Sequence, residues 1–243
     1  MTTLTTHTIE TASENAKPLL EGQVEMSSIL RIDASARVDR SLTRTLGDMF
    51  VAAWQQRDPS MQVVQRDVGK NPPSFISEEW IAAAFLDENN RSVEQRTQLE
   101  ESDRLITEIE RADIIVITTP MYNYGMPASL KAWFDQVIRI NKTFTFDLDR
   151  GDRPLEPILN GKSLILLTST GEFAFRPGEW NENANHLTPH LTTLCKYLGA
   201  DRARQIGIEY QEFCDERFEK SKADAFAKIP KLVLEIMPSS TTF

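Results

Sequence analysis

Two long apolar runs and a regular alternation of segment types predict an α/β fold: a doubly wound, five-stranded parallel sheet of order 2-1-3-4-5 with helices on both faces. The runs are ADIIVITTP (112–120) and KSLILLTST (162–170). Neither alternates polar with apolar residues. A strand that is apolar on both faces belongs in the middle of a parallel sheet with helices packed on either side. The third observation is order: strand-like and helix-like segments follow one another in turn, which builds βαβ units.

Taken from the start, SSILRID (27–33) is a short apolar run that reads as the first strand. Leu42, Leu46, Met49, Phe50 and Ala53 then recur at helical spacing within 41–57. MQVVQRDV (61–68) is the second strand, centred on Val63 and Val64. Asn71-Pro72-Pro73 marks a loop, and the rest of 71–91 is a short mixed segment without a clear assignment. A polar, charge-rich helix is expected over 92–110. After the strand at 112–120, Pro127 opens a helix with Leu130, Trp133, Phe134, Val137 and Ile138 on one face. Residues 142–160 read as a long connection with Asp-rich turns. The strand at 162–170 leads into a loop, 171–187, after which Thr188-Pro189 caps and starts a helix ending near Leu198. A weaker fifth strand (203–210) and a last helix (211–236) complete the order. The first strand–helix turn lacks G-x-G-x-x-G, which disfavours a dinucleotide fold.

Composition narrows the function. The chain has 243 residues, with 27 Lys and Arg against 36 Asp and Glu, a formal charge of −9. That balance argues against nucleic acid or an anionic membrane as partner. No run approaches the roughly 18 apolar residues of a membrane helix. Cys195 and Cys214 are the only cysteines, too few for a disulfide framework or a four-ligand zinc site, so a reducing, cytoplasmic setting is expected. Residues 1–26 carry acids and threonines and no apolar core of a secretion signal; they are expected to be a disordered extension, with Met26 as an alternative start. The folded domain is expected over 27–236, and 237–243 as a polar tail.

In a doubly wound sheet ligands bind beyond the carboxyl ends of the strands, at the switch point, here between strands one and three. Topology therefore selects three loops. The first (35–43) has Ser35 after a strand, and Ser41, Leu42 and Thr43 opening a helix, with Arg37 and Arg40 between. Hydroxyls and free N–H groups at a helix N-terminus suit a phosphate, although Ser41 also reads as a plain helix cap. The second (120–126) contains Met121-Tyr122-Asn123-Tyr124, flat and polarisable groups for a planar ring, or an aromatic hairpin-like turn filling the gap above the sheet. The third (169–174) contains Ser169-Thr170-Gly171-Glu172, where Gly171 permits close approach. His186 and His190 lie four apart, but Pro189 intervenes and no Glu completes H-E-x-x-H, so no metal is expected. Without G-x-S-x-G a hydrolase serine is disfavoured, and Cys195, on an apolar helix face, reads as a buried thiol.

PMYNYGMPASLKAWFDQV (120–137) resembles the FMN-dependent NADH:quinone oxidoreductases, or azoreductases, of the flavodoxin-like superfamily. Ser35, Ser41-Leu42-Thr43, the loop Thr168-Ser169-Thr170-Gly171 and the segment Thr188-Pro189-His190-Leu191 to Gly199 carry the likeness through 27–236. The resemblance implies non-covalent FMN, one per subunit, in a homodimer with sites at the interface. It places the phosphate on Ser35, Ser41, Leu42 and Thr43, and the isoalloxazine on Met121, Tyr122, Asn123, Tyr124, Ser169, Thr170, Gly171 and Glu172. NADH or NADPH and then a quinone are implied to use the flavin in turn, by a ping-pong cycle with no catalytic side chain; an azo compound would need two rounds. Phe144 and Phe146, in the connection 142–160, are implied to reach the neighbouring subunit's substrate site. The family's T-S-R-G-G loop is altered: Thr170 stands for its arginine and Glu172 for its second glycine. Phe173 stands where a histidine often follows and is the third substrate-facing candidate. A carboxylate at Glu172 would lower a bound flavin's reduction potential by like-charge repulsion. The alternatives are a flavodoxin-type electron carrier, a flavin-binding regulator, and a reductase of free flavin, chromate or nitroaromatics.

Overall fold

A computed structural model describes residues 28–237. The expectations placed on 1–26 and on the tail after Met237 lie outside the described residues. Five parallel strands form the sheet: β1 (Ser28–Asp33), β2 (Gln62–Asp67), β3 (Ile114–Pro120), β6 (Ser163–Ser169) and β7 (Ala203–Ile208), in the order β2-β1-β3-β6-β7. This is the expected order 2-1-3-4-5, with two extra strands lying outside the sheet.

The alternation of each strand's side chains makes the sheet two-faced. Ile29, Ile114, Val116, Ile165 and Leu167 pack against α1 (Leu42–Gln55) and α6 (Glu216–Ile236). Leu30, Ile32, Ile115, Ile117 and Leu166 pack against α3 (Val93–Arg111), α4 (Ala128–Val137) and α5 (Thr188–Leu194). All seven residues of β3 are buried, as its unbroken apolar run requires. Cys195 lies in this second core, and burial pushes its thiol pKa up. Among the described residues no helix is long and apolar enough to cross a membrane.

One unassigned segment is filled and three expectations are corrected. The unassigned part of 71–91 holds α2 (Glu78–Phe85), capped by Ser77, whose side chain accepts from the Trp80 N–H. The connection 142–160 is an antiparallel hairpin of β4 (Phe144–Phe146) and β5 (Leu155–Pro157). Thr188 does not cap α5; Asn185 Oδ1 accepts from the N–H groups of Leu187 and Thr188 and ends the preceding loop. The last helix starts at Glu216, not at 211, because Asp215 caps it by accepting from the N–H groups of Arg217 and Phe218.

Candidate functional site

The carboxyl ends of β1, β3 and β6 lie side by side, so the three loops selected by topology meet. They enclose a cavity of about 210 Å³. Ser35, Arg37, Arg40, Ser41 and Leu42 line it from the first loop, Met121 and Tyr122 from the second, Ser169 and Gly171 from the third. Gln211 and Glu212 close it from the β7–α6 loop. Sequence reasoning missed these two, because backbone pairing brings them in: the N–H of Gln211 donates to the Thr170 carbonyl at 3.2 Å and that of Glu212 to the Gly171 carbonyl at 3.1 Å.

Ser41 is both a helix cap and a cavity wall. Its Oγ accepts from the Arg44 N–H at 3.4 Å and lies 3.2 Å from the Thr43 hydroxyl. Thr43 is buried beneath it. The second loop is a tight turn: Tyr122 and Gly125 exchange N–H···O bonds of 2.9 and 3.0 Å, with Asn123 and Tyr124 at φ 47° and 65° between them. Two positive φ values make a type I′ turn, which usually requires Asn or Gly; a tyrosine there is strained. The hairpin-like turn is therefore real, but it does not fill a gap: Tyr124 is 44% exposed. Its phenol donates to Glu172 Oε1 at 2.9 Å, and that carboxylate holds the phenol pKa above its ordinary value.

Other expected residues lie apart from the cavity. Asn123 sits at the tip of the turn. Thr170 donates from its hydroxyl to the Glu172 carbonyl and lines a neighbouring cavity. Phe173 stacks on Tyr210 (4.4 Å, 15°). Phe144 meets Tyr197 of its own chain edge to face, whereas Phe146 is 49% exposed on the hairpin.

The first loop is held from below by charge. Asp33 and Asp67 are register partners on β1 and β2, and Asp33 is fully buried. Two adjacent carboxylates need cations. Arg44, in the first turn of α1, donates to both Asp67 oxygens at 2.7 and 2.8 Å. It also donates to the carbonyls of Ser35 (2.8 Å) and Arg37 (2.9 Å). Asp33 accepts from Arg31, Gln65 and Thr118. With the carbonyls of the loop turned inward onto Arg44, the loop's conformation is fixed by a buried ionic lattice. The Asp67 hydrogen bonds raise the Arg44 pKa.

Burial pushes the Asp67 carboxyl up, but the hydrogen bonds from Arg44 and from the Lys70 N–H outweigh it and leave its pKa below the ordinary aspartate range. The folded state thus binds fewer protons than the unfolded chain, and Asp67 contributes stability that is complete above about pH 4. That contribution is lost as pH falls through the folded-state value. Urea unfolding between about pH 5 and 2 should show a shallower acid limb for Asp67→Asn than for the wild type; equal slopes would remove Asp67 from the account.

The family model of the flavodoxin-like fold matches residues 27–232. A protein of Idiomarina loihiensis named FMN-dependent NADH:quinone oxidoreductase 2 is 49% identical over 223 residues, covering 89% of this chain and 93% of that protein. The chain belongs to the FMN-dependent NADH:quinone oxidoreductase family. Another member of this family, from Colwellia psychrerythraea, is 50% identical over 219 residues, covering 87% of this chain and 100% of the relative. The crystal structure of an azoreductase from Bacillus anthracis superposes with a TM-score of 0.77 at 18% identity, covering 87% of this chain and all of that one, a likeness of fold.

Proposed function

We propose that this protein is an FMN-dependent oxidoreductase that passes two electrons from NADH or NADPH to quinones, and cleaves azo compounds in two such rounds. The observation that carries this reading is the convergence of the three carboxyl-end loops on one cavity to which they bring two kinds of lining. One kind, from the first loop, is the hydroxyls of Ser35 and Ser41 before and at the start of α1 with Arg37 and Arg40 between them, and it offers donors and positive charge. The other offers the thioether of Met121, the ring of Tyr122 and the close backbone of Gly171. A ligand with a phosphate at one end and a flat heterocycle at the other fits both, and FMN is such a ligand. Bound there, FMN would supply the hydride-accepting and hydride-donating chemistry itself.

The chain's own groups bind and orient. Ser35, Ser41 and Thr43, with the N–H groups opening α1, would hold the phosphate, favoured by the positive end of the helix dipole. Met121 and Tyr122 from the second loop and Ser169 and Gly171 from the third would line the ring. No side-chain nucleophile is required. Two free cysteines among the described residues fit a reducing, cytoplasmic setting.

Equilibrium titration of the full chain with FMN tests the binding step. Ser41→Ala should weaken binding by about 1.5–3 kcal/mol, the loss of a hydrogen bond to a charged group, which is roughly ten- to 150-fold in Kd. Loss of its cap alone would lower stability by about 1 kcal/mol without that shift in Kd.

We also propose a homodimer. Phe85, 70% exposed, lines with Ile76 and Ile81 a hollow between α2 and α4, and Phe75, 76% exposed, precedes Ile76. So large an unsheltered apolar face marks an association surface. The exposed Phe146 of the hairpin would then reach the neighbouring site. Phe85→Asp should sediment as a monomer where the wild type sediments as a dimer; an unchanged profile would move the interface elsewhere.

A further inference from the structure

We infer that the acceptor site selects by charge: Glu172 and Glu212 make its mouth anionic, so that neutral and cationic acceptors are reduced in preference to anionic ones of the same skeleton. The inference rests on the proposed function and adds to it the substrate class.

The cavity is bipolar. Arg37 and Arg40 line it from the first loop, and Glu212 lines it from the β7–α6 loop, over Gly171, the residue before Glu172. Glu172 is fixed between two loops. Its Oε1 accepts from the Tyr124 hydroxyl of the second loop at 2.9 Å, and its Oε2 from Asn181 Nδ2 at 3.4 Å. Both donors are neutral, so they hold the carboxylate in place and leave its charge uncancelled. Glu212 is held by its N–H bond to the Gly171 carbonyl, and its side chain lies so close over Gly171 that a Cβ there would meet Glu212 Cγ at 2.6 Å. Of the basic side chains that follow these segments, Arg176 pairs with Glu209 at 4.0 Å, and Arg217 lies over the Phe173 and Tyr210 rings but pairs with Asp215 at 2.5 Å. A ligand phosphate at the far end would neutralise Arg37 and Arg40. With the Arg217 charge offset by Asp215, the unpaired charge left at the acceptor end is that of Glu172 and Glu212, on a chain whose formal charge is −9.

The test uses the FMN-loaded full chain and three acceptors: a naphthoquinone, its sulfonate and its quaternary-ammonium derivative. The quantity read is the ratio of kcat/KM for the sulfonate to that for the neutral quinone. The double variant Glu172→Gln, Glu212→Gln should raise this ratio about fivefold, and the ratio for the cationic acceptor should fall. In roughly 1 M salt the wild type should approach the variant, because screening removes the same field. Binding gives a second readout. Naphthalene sulfonate, a redox-inert anion, should bind the oxidised protein more weakly than neutral naphthalene sulfonamide, by flavin absorbance, and the gap should close in the variant. Ratios that agree between wild type and variant within about twofold, in turnover and in binding, would overturn the inference. A wild type that binds FMN but reduces no quinone would sink the proposed function instead, while the binding ratio would still decide the charge selectivity.

Discussion

Replacing Arg44 with methionine is expected to cost about 3–5 kcal/mol of folding stability and to abolish tight FMN binding. The first figure follows from what the change leaves behind. Arg44 is buried, and it alone bridges Asp67 to the carbonyls of Ser35 and Arg37. Removing one partner of a buried ionic network strands the opposite charge, which is the costly case. The second effect follows from position. The carbonyls that Arg44 holds belong to the loop proposed to meet the phosphate. Released, they turn toward the cavity, and carbonyl oxygens repel an anion. Arg44→Lys separates the two effects: the charge stays, but the paired bond to Asp67 and the bonds to two carbonyls cannot all be remade by one ammonium. It should recover most of the stability and little of the FMN affinity. Urea unfolding and FMN titration of the three proteins measure both. An Arg44→Met protein that binds FMN as the wild type does would show that the lattice has no part in the site.

Gly69→Ala should be comparably damaging from a different direction. Gly69 follows β2 and donates its N–H to the Asp33 carbonyl at 3.0 Å. A Cβ at this position would lie 2.2 Å from the Ser35 carbonyl oxygen and 2.7 Å from its carbon. Both are backbone atoms of the first loop, and Arg44 holds that carbonyl oxygen by a hydrogen bond of 2.8 Å. Neither side chain rotation nor a small shift relieves the contact. Overpacking of this kind costs about 1–3 kcal/mol, and more where the neighbour is fixed. The stability loss should appear in chemical denaturation. The functional loss should appear as a higher FMN Kd, because the segment forced to move begins with Ser35. A variant with wild-type affinity and stability would mean that the loop is far more compliant than the lattice beneath it implies.

Much of this architecture was legible because apolar periodicity reports burial directly. The runs 112–120 and 162–170 could only be central strands, and once they were central the switch point and its three loops followed from topology. Ser41 was readable as a cap because caps are local. The features that escaped are those whose signal is short or distributed. Each strand of the β4–β5 hairpin has three residues, too few for alternation to show. In α2 Trp80, Ala83 and Ala84 are buried while Ile81 and Phe85 stay exposed, so its apolar pattern marks two faces at once. Arg44 and Asp67 are 23 residues apart, and no local rule pairs an arginine in a helix with an aspartate at the end of a strand. Gln211 and Glu212 enter the cavity through backbone hydrogen bonds, which any residue type could make. Glu172 was visible as a departure from the family's loop, but its bond to Tyr124 is a product of the fold.

The central claim is that NADH or NADPH reduces a flavin bound at the three loops and a quinone reoxidises it. Anaerobic stopped-flow mixing of the FMN-loaded protein with NADH, followed by benzoquinone, tests it most directly. The account predicts rapid bleaching of the flavin and then complete reoxidation by one equivalent of quinone, without a one-electron intermediate. Bound FMN that neither NADH nor NADPH bleaches would contradict it and indicate a carrier or a regulator instead.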